Sequence, residues 1–191
     1  MATLTTGRAR RHARGVTLAE LLVSTAAAGL VLAGAISVLG AGQRLHATGA
    51  ARVESQQAAR VALDRLARDV RGAGRGPGRD FDAVAVAEPQ RLTLQQDVDG
   101  DGTITAPGER ITWRLDGGVL RRDAGAGGQP VVEGVLDFAL HYLDGAGEPA
   151  ADPAAVRSVA VTLTVGPVLA DRIHGRGVAT TVSTRVRLRN R

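Results

Sequence analysis

Cysteine and aromatic residues are the most conspicuous absences in this sequence of 191 residues. There is no Cys, which excludes disulfide bonds and thiolate metal sites. Only four residues are Phe, Trp or Tyr, namely Phe81, Trp113, Phe138 and Tyr142. A hydrophobic core must therefore consist mainly of Val, Leu, Ile and Ala side chains, and the length suggests one modest domain with extensions.

Lysine is also absent, so the 24 Lys and Arg residues counted together are all Arg. Four of them, Arg8, Arg10, Arg11 and Arg14, lie within residues 1–15, a segment that contains no Asp or Glu. The other 20 Arg face 19 acidic residues, so the chain after residue 15 is nearly neutral. Attraction of nucleic acid needs a clustered positive excess, so no nucleic-acid partner is expected.

Charge is missing altogether between Leu21 and Gln43. About 20 apolar residues are enough to cross the hydrocarbon core of a bilayer. Many residues of this run are Ala or Gly, which allow helices to approach closely in lipid. The sequence therefore predicts a membrane-spanning helix within residues 16–43, preceded by a basic leader, residues 1–15, that the positive-inside rule keeps in the cytoplasm.

The junction between the leader and the apolar run carries a specific motif, RGVTLAE, at residues 14–20. This arrangement resembles the class III signal of type IV pilins and type II secretion pseudopilins. The resemblance implies that a prepilin peptidase cuts after Gly15 and that Val16 becomes an N-methylated terminus. It also implies that Glu20, fifth in the mature chain, acts in filament assembly. Val16 stands where Phe is commoner in the family.

The resemblance also implies a location and partners. The β domain would lie outside the cytoplasm, with the helix in the inner membrane until the subunit enters a pilus or pseudopilus. The implied partners are other minor and major pilins or pseudopilins and the prepilin peptidase, and no enzymatic activity is implied. The alternative is an uncleaved single-pass envelope protein whose periplasmic β domain binds a ligand or acts as an enzyme.

Residues 44–72 predict an amphipathic helix that continues the first one. Ala59, Leu63, Leu66 and Val70 recur at helical spacing. Arg65 and Asp69 lie one turn apart, which predicts an ion pair on the exposed side of the helix. A glycine-rich linker, residues 73–79, ends the helix. Residues 62–71 resemble the equivalent helix of minor pilins of the J or W type, which implies a role in starting or joining the tip of the filament.

Residues 80–191 alternate between apolar and polar side chains in several short runs, which predicts half-buried strands. The apolar positions are Leu92 and Leu94; Ile111, Trp113 and Leu115; Leu136, Phe138, Leu140 and Tyr142; Val159, Val161, Leu163 and Val165; and Val178, Val182, Val186 and Leu188. The predicted fold class is α+β and pilin-like. A long N-terminal helix, with a membrane-spanning first half, would pack on an antiparallel β-sheet domain.

Asp97, Asp99 and Asp101 alternate with other residues in the loop before Ile111. Three such carboxylates can converge on one hard cation, and calcium is the candidate cofactor. The loop is not an EF-hand, because its twelfth position is Gly108 and Glu109 comes one residue later. We expect an ion to neutralise the carboxylates and fix the turn. The alternative is an acidic hairpin loop that stays solvated.

Arginine recurs at the C-terminus, at Arg185, Arg187, Arg189 and Arg191. The alternation places the first three on one side of a strand. One interpretation is a patch for an acidic partner or nucleic acid. The favoured one is a charged sheet edge that discourages pairing with other strands.

Overall fold

A computed structural model describes residues 16–77, 81–166 and 179–190. The predicted leader with Gly15, the end of the glycine-rich linker, Val178 and Arg191 lie outside these ranges. The chain divides into two compact units between Ala47 and Thr48. Over these ranges the fold is α+β, with one long helix and two antiparallel sheets, so the α+β part of the predicted class is confirmed.

Helix α1, Leu18–Gly72, crosses the division between the two units. It begins two residues after the predicted start, because Thr17 precedes the first helical residue and its side chain caps the helix. In the first unit, Leu18–Gln43 has a mean hydropathy of 2.1, so this segment is long and apolar enough to span a membrane. Its large apolar side chains, from Leu18 to Leu39, are all exposed.

The second unit contains the C-terminal part of α1, which has one buried stripe. Ala59, Leu63, Leu66 and Val70 are buried as the helical spacing predicts, and Ala62 extends the stripe. The helix ends at the predicted glycines, where Gly74 has a φ of +74° that favours glycine. The Asn190 side chain then donates to the carbonyl of Ala73 at 3.0 Å and to that of Arg71 at 3.3 Å, which satisfies carbonyls that lack helical partners.

In the part of the chain that the structure describes, eight strands form two sheets, and all paired strands are antiparallel. The first sheet has the order β1-β2-β3-β4-β5, and the second has the order β6-β7-β8. The strands are β1 Val84–Glu88, β2 Arg91–Gln95, β3 Arg110–Asp116, β4 Val119–Asp123, β5 Gln129–Val132, β6 Val135–Leu143, β7 Ser158–Val165 and β8 Thr180–Arg187. A short 3₁₀ turn, Pro153–Ala155, lies before β7.

The buried stripe of α1 and the inner side chains of both sheets form one hydrophobic core. Trp113 and Phe138 are its largest fully buried side chains. The Tyr142 hydroxyl joins the two sheets by donating to the carbonyls of Glu88 and Arg91, at 2.7 and 3.0 Å. Burial beside the Glu88 carboxylate raises the pKa of this hydroxyl, so it stays a donor throughout the physiological range.

Strands β1, β4 and β5 were not predicted from the sequence, and the predicted antiparallel sheet is divided into two. Two predictions about single residues also differ from the structure. Leu136, predicted to face the core, is 65% exposed, because the pairing of β6 with β7 shifts register between Val135 and Asp137 and Val135 is buried instead. The predicted Arg65–Asp69 pair is also wrong. Asp69 accepts hydrogen bonds from Trp113 Nε1 at 2.8 Å and from Arg122 Nε at 2.7 Å, so it fastens the helix to the first sheet.

Candidate functional site

The loop between β2 and β3 brings four carboxylates together. Asp97, Asp99 and Asp101 each offer an oxygen that lies within 4.8 Å of the others, as predicted, and Glu109 adds a fourth. Glu109 was not predicted as a ligand because it follows the position that an EF-hand uses. The signal that could have found it is a carboxylate placed where the loop returns to the sheet, next to Arg110 at the start of β3.

Asp97 holds the first half of the loop from inside. Its side chain is buried, and its two carboxylate oxygens accept hydrogen bonds from the backbone N–H groups of Gly100 at 2.6 Å and Gly102 at 3.1 Å. Both glycines have a φ of +81°, a conformation that side chains with a Cβ rarely adopt. The two turns that fold the chain around Asp97 therefore depend on these glycines.

Glu109 holds the second half of the loop in the same way. It is completely buried, and its Oε1 atom accepts from the Val98 N–H at 3.0 Å. Its Oε2 atom accepts from the N–H groups of Thr105 at 2.9 Å and Ala106 at 2.7 Å. The loop thus has a defined conformation from its own hydrogen bonds, whereas the sequence predicted that an ion would be needed to fix the turn.

The other two carboxylates are exposed at the outer side of the cluster. Asp99 accepts from the Asp101 N–H at 3.1 Å, and Asp101 accepts from the Thr103 N–H at 2.7 Å and from its hydroxyl at 2.8 Å. Each of the two carboxylates has lone pairs left over, because a carboxylate offers about four acceptor positions. These oxygens are the ones that can turn toward a ligand without breaking the interior of the loop.

The charges of the cluster act on one another. The Asp101 N–H lowers the pKa of Asp99, but desolvation and the negative charges of Asp101, Glu109 and Asp97 outweigh it, so the net shift is upward. Hydrogen bonds from Thr103 lower the pKa of Asp101. Desolvation raises the pKa of Glu109, but the N–H donors of Ala106, Val98, Thr105 and Asp99 together lower it. The neighbouring carboxylates therefore disfavour the charged form of Asp99, and an added cation would counteract their repulsion.

The donor set consists only of oxygen atoms, which suits a hard divalent cation and not zinc or copper. Within the described residues, neither of the two ion pairs involves this cluster, so no Arg neutralises it there. Four converging carboxylates, two of them buried, could hold a metal ion. Backbone carbonyls or water would complete a shell of 6–8 oxygens.

The second predicted site lies at the start of α1. The Thr17 backbone N–H and hydroxyl both donate to Glu20 Oε2 at 3.0 Å, while the Glu20 N–H donates to the Thr17 hydroxyl at 3.3 Å. This reciprocal arrangement is a capping box. Thr17 was missed as a functional residue, although a Thr three positions before a Glu at a helix start is the sequence signature of that motif. Val16 is 71% exposed.

Three of the predicted C-terminal arginines lie on or just after β8, which is the edge strand of the second sheet within the described ranges. Arg185 and Arg187 point to the exposed side of β8, which is an edge strand, and the exposed Arg189 follows the strand. This position agrees with the favoured interpretation of a charged sheet edge.

Comparisons with known proteins do not assign this chain to a family. No protein-family model matches the sequence, and no curated protein matches it significantly.

Proposed function

We propose that the protein is a minor pilin or pseudopilin, a subunit that starts or joins the tip of a type IV pilus or a type II secretion pseudopilus. The observation that carries the proposal is the exposed apolar segment of α1 in the first unit, Leu18–Gln43. Its large apolar side chains are exposed all around the helix, and a helix of this kind needs lipid or other helices as its surroundings. A pilin offers both, first in the inner membrane and then in the core of a filament.

The second part of the argument is the position of Glu20. A carboxylate within a membrane-length helix costs at least ~2.5 kcal/mol on insertion scales, so such a group is usually paired and functional. Glu20 lies in the first turn of the helix and its side chain accepts hydrogen bonds from Thr17. In the proposed mature chain, the free amine of Val16 would be the charge of opposite sign nearest in sequence. Glu20 would pair with the terminus of a neighbouring subunit and set its register.

The α+β organisation supports the same function. Thr48–Arg191 is a compact unit in which α1 contributes one buried stripe and the antiparallel sheets contribute the rest of the core. A pilin-like subunit needs a domain of this kind outside the cytoplasm. The acidic loop would bind calcium there, since exported proteins meet that ion at far higher concentrations than cytoplasmic ones do.

Processing provides the direct test. We expect the protein isolated from its native membrane to begin at Val16 and to carry an N-methyl group, which intact-mass measurement detects. Gly15→Arg should accumulate the uncut precursor in the membrane, because a side chain at the cut site obstructs the peptidase. Gly7→Arg is the matched control, because it adds the same charge to the leader away from the cut. A native mass that includes residues 1–15 would instead favour the uncleaved single-pass envelope protein.

A further inference from the structure

A cavity of about 370 Å³ lies at one end of the second sheet, and neither the proposed filament function nor the acidic loop uses it. It is lined by Asp144, Gly145, Arg157, Ser158, Arg185 and Arg187. Arg157 and Ser158 stand at the start of β7, Arg185 and Arg187 at the end of β8, and the residues after β6 close the other side. Three arginine residues therefore line one concave space.

Two of these guanidinium groups are held in place by polar contacts. Arg157 NH1 donates to the carbonyls of Ala154 at 2.9 Å and Val156 at 3.0 Å. Arg185 Nε donates to the hydroxyl oxygen of the buried Ser158 at 3.2 Å. Side chains that are fixed before a ligand arrives lose less conformational entropy when it binds. The remaining N–H groups of both residues are available to a ligand.

The carboxylate in the lining forms no ion pair with the arginines. Asp144 Oδ1 accepts the backbone N–H groups of Ala146 and Gly147, each at 2.9 Å, and of Glu148 at 3.0 Å, so it stabilises the turn after β6. Across residues 16–77, 81–166 and 179–190, no carboxylate forms an ion pair with Arg157, Arg185 or Arg187. The lining thus has an excess of positive charge without a partner from the described chain.

Two glycines of the turn after β6 lie next to the arginines. A Cβ atom at Gly147 would lie 3.5 Å from Arg185 NH2, and the φ of +90° at this residue disfavours any side chain. A Cβ atom at Gly145 would lie 3.9 Å from the Arg157 side chain. The turn therefore approaches two of the arginines at positions that carry no side chain.

We infer that this cavity, which we call the arginine pocket, binds the phosphate group of a small phosphomonoester. Three arginines and one aspartate give the lining a formal charge that matches a phosphate dianion, and guanidinium groups bind phosphate oxygens in pairs. The volume lies near the lower end of the range of about 300–1,000 Å³ for ligand pockets, so the molecule is small. No aromatic residue is among the lining side chains, which favours a polar ligand over a stacked ring.

The experiment is a calorimetric titration of the full chain in non-ionic micelles with glycerol 3-phosphate, and with glycerol as the neutral control. We expect saturable binding of one phosphate per chain and none of glycerol. Arg187→Gln and Arg187→Lys should each weaken binding about tenfold or more, since a hydrogen bond to a charged group is lost and Lys lacks the paired donors. The melting temperature of each variant should stay near that of the wild type, because Arg187 is exposed.

Arg189→Gln is the matched control. It removes the same charge at a position two residues after Arg187, and Arg189 does not line the cavity. It should leave the affinity for glycerol 3-phosphate within about twofold of the wild type. Equal weakening by Arg187→Gln and Arg189→Gln would overturn the inference. It would show that the general positive charge of this surface, and not the lining of the cavity, attracts the phosphate. Absence of saturable binding to the wild type would overturn it as well.

A second titration distinguishes two sources of the phosphate group. Nanodiscs that contain phosphatidic acid should displace glycerol 3-phosphate if the pocket takes a lipid headgroup, whereas phosphatidylcholine nanodiscs should not. A site for a free metabolite should bind glycerol 3-phosphate equally well beside both kinds of nanodisc. Either result supports a phosphomonoester site, and in both cases the Arg187 variants should bind glycerol 3-phosphate more weakly than the wild type. Displacement by both kinds of nanodisc to the same degree would contradict it.

Discussion

The two ends of α1 show how one helix serves two different surroundings. From Leu18 to Gln43 it has one carboxylate, Glu20, and its large apolar side chains are exposed. After Thr48 it carries charges on several turns, and only the stripe with Leu63 and Leu66 is buried. The backbone hydrogen bonds are the same in both parts. The difference lies in what the side chains require, lipid or other helices in the first part and a sheet in the second.

The carboxylates of the two parts differ in the same way. Glu20 accepts hydrogen bonds from Thr17 within its own first turn. Asp69 accepts from Trp113 and Arg122, residues that lie more than forty positions further along the chain. The first carboxylate is therefore satisfied by hydrogen bonds within its own turn, and neither ion pair of the described residues involves it. The second forms its hydrogen bonds and its ion pair with residues of the first sheet. Substitutions in the two parts should accordingly affect different measurements.

The largest expected effect is the loss of a core side chain from the second part. Leu66→Ala should lower the free energy of unfolding by about 2–5 kcal/mol, because Leu66 is fully buried and a cavity would remain. Leu32→Ala, the matched change in the exposed first part, should alter it by less than about 0.5 kcal/mol. Unfolding of the full chain in micelles can be followed by the fluorescence of Trp113, the single Trp. Equal losses in both variants would show that the two parts are not independent.

The acidic loop should give a large effect that is restricted to the second unit. Calcium that binds only the folded state would stabilise it by about 2.7 kcal/mol at a hundredfold excess over Kd. Magnesium should give a smaller rise in Tm, because it fits an irregular oxygen shell less well. Asp99→Asn should remove most of the calcium response while leaving the interior of the loop, held by Asp97 and Glu109, intact.

Asp137→Asn is the control for the calcium measurement, because it removes an exposed carboxylate on β6 outside the loop. Its response to calcium should equal that of the wild type. If Asp99→Asn responds in the same way, or if millimolar calcium leaves Tm unchanged, the loop is a self-sufficient turn and not an ion site. Since folding lowers the pKa of Glu109, its contribution to stability should be present at neutral pH and be lost as the pH falls through the folded pKa.

A smaller effect, about 2 kcal/mol, is expected at Asp69. Asp69→Ala would leave the Trp113 N–H and the Arg122 guanidinium without their acceptor in a nearly buried position. Asp64→Ala removes an exposed carboxylate from the same helix and should change stability by less than about 0.5 kcal/mol. Unfolding in urea measures both variants. Similar losses would mean that helix charge, and not the contact with the first sheet, determines the result.

Local patterns predicted the parts of this fold that depend on local physics. The helical spacing of Ala59, Leu63, Leu66 and Val70 and the glycines after them located the end of the helix to within a residue. Alternation located β2, β3, β6, β7 and β8, but it did not identify β1, β4 and β5. It also could not show the register shift at Val135, because a bulge depends on how β7 pairs with β6. For the same reason, the sequence paired Asp69 with a helical neighbour and not with Arg122.

The candidate sites also differ in whether their residues are close together in the sequence. Asp97, Asp99 and Asp101 are close in sequence, so their convergence was predictable, whereas Glu109 joins them only because the hairpin closes between β2 and β3. The arginine pocket was not predictable at all. Its residues come from the turn after β6 and from opposite ends of β7 and β8, and only the antiparallel pairing of Ser158 with Arg187 brings them together.

The smallest effect on stability, and the sharpest test of the first part of α1, concerns Thr17 and Glu20. A capping box contributes about 1 kcal/mol to a helix start. If Glu20 served only as a cap, Thr17→Ala and Glu20→Ala would impair incorporation into filaments equally. Glu20→Gln would restore it, because the amide oxygen still accepts a hydrogen bond.

If Glu20 pairs with the terminus of a neighbour, Glu20→Gln should impair incorporation as strongly as Glu20→Ala does. Thr17→Ala should then assemble nearly as well as the wild type, because it keeps the charge. Incorporation is measured as the ratio of each variant in sheared filaments to that in the membrane at equal expression. The proposed assembly role predicts the second pattern, and the first would reduce Glu20 to a helix cap.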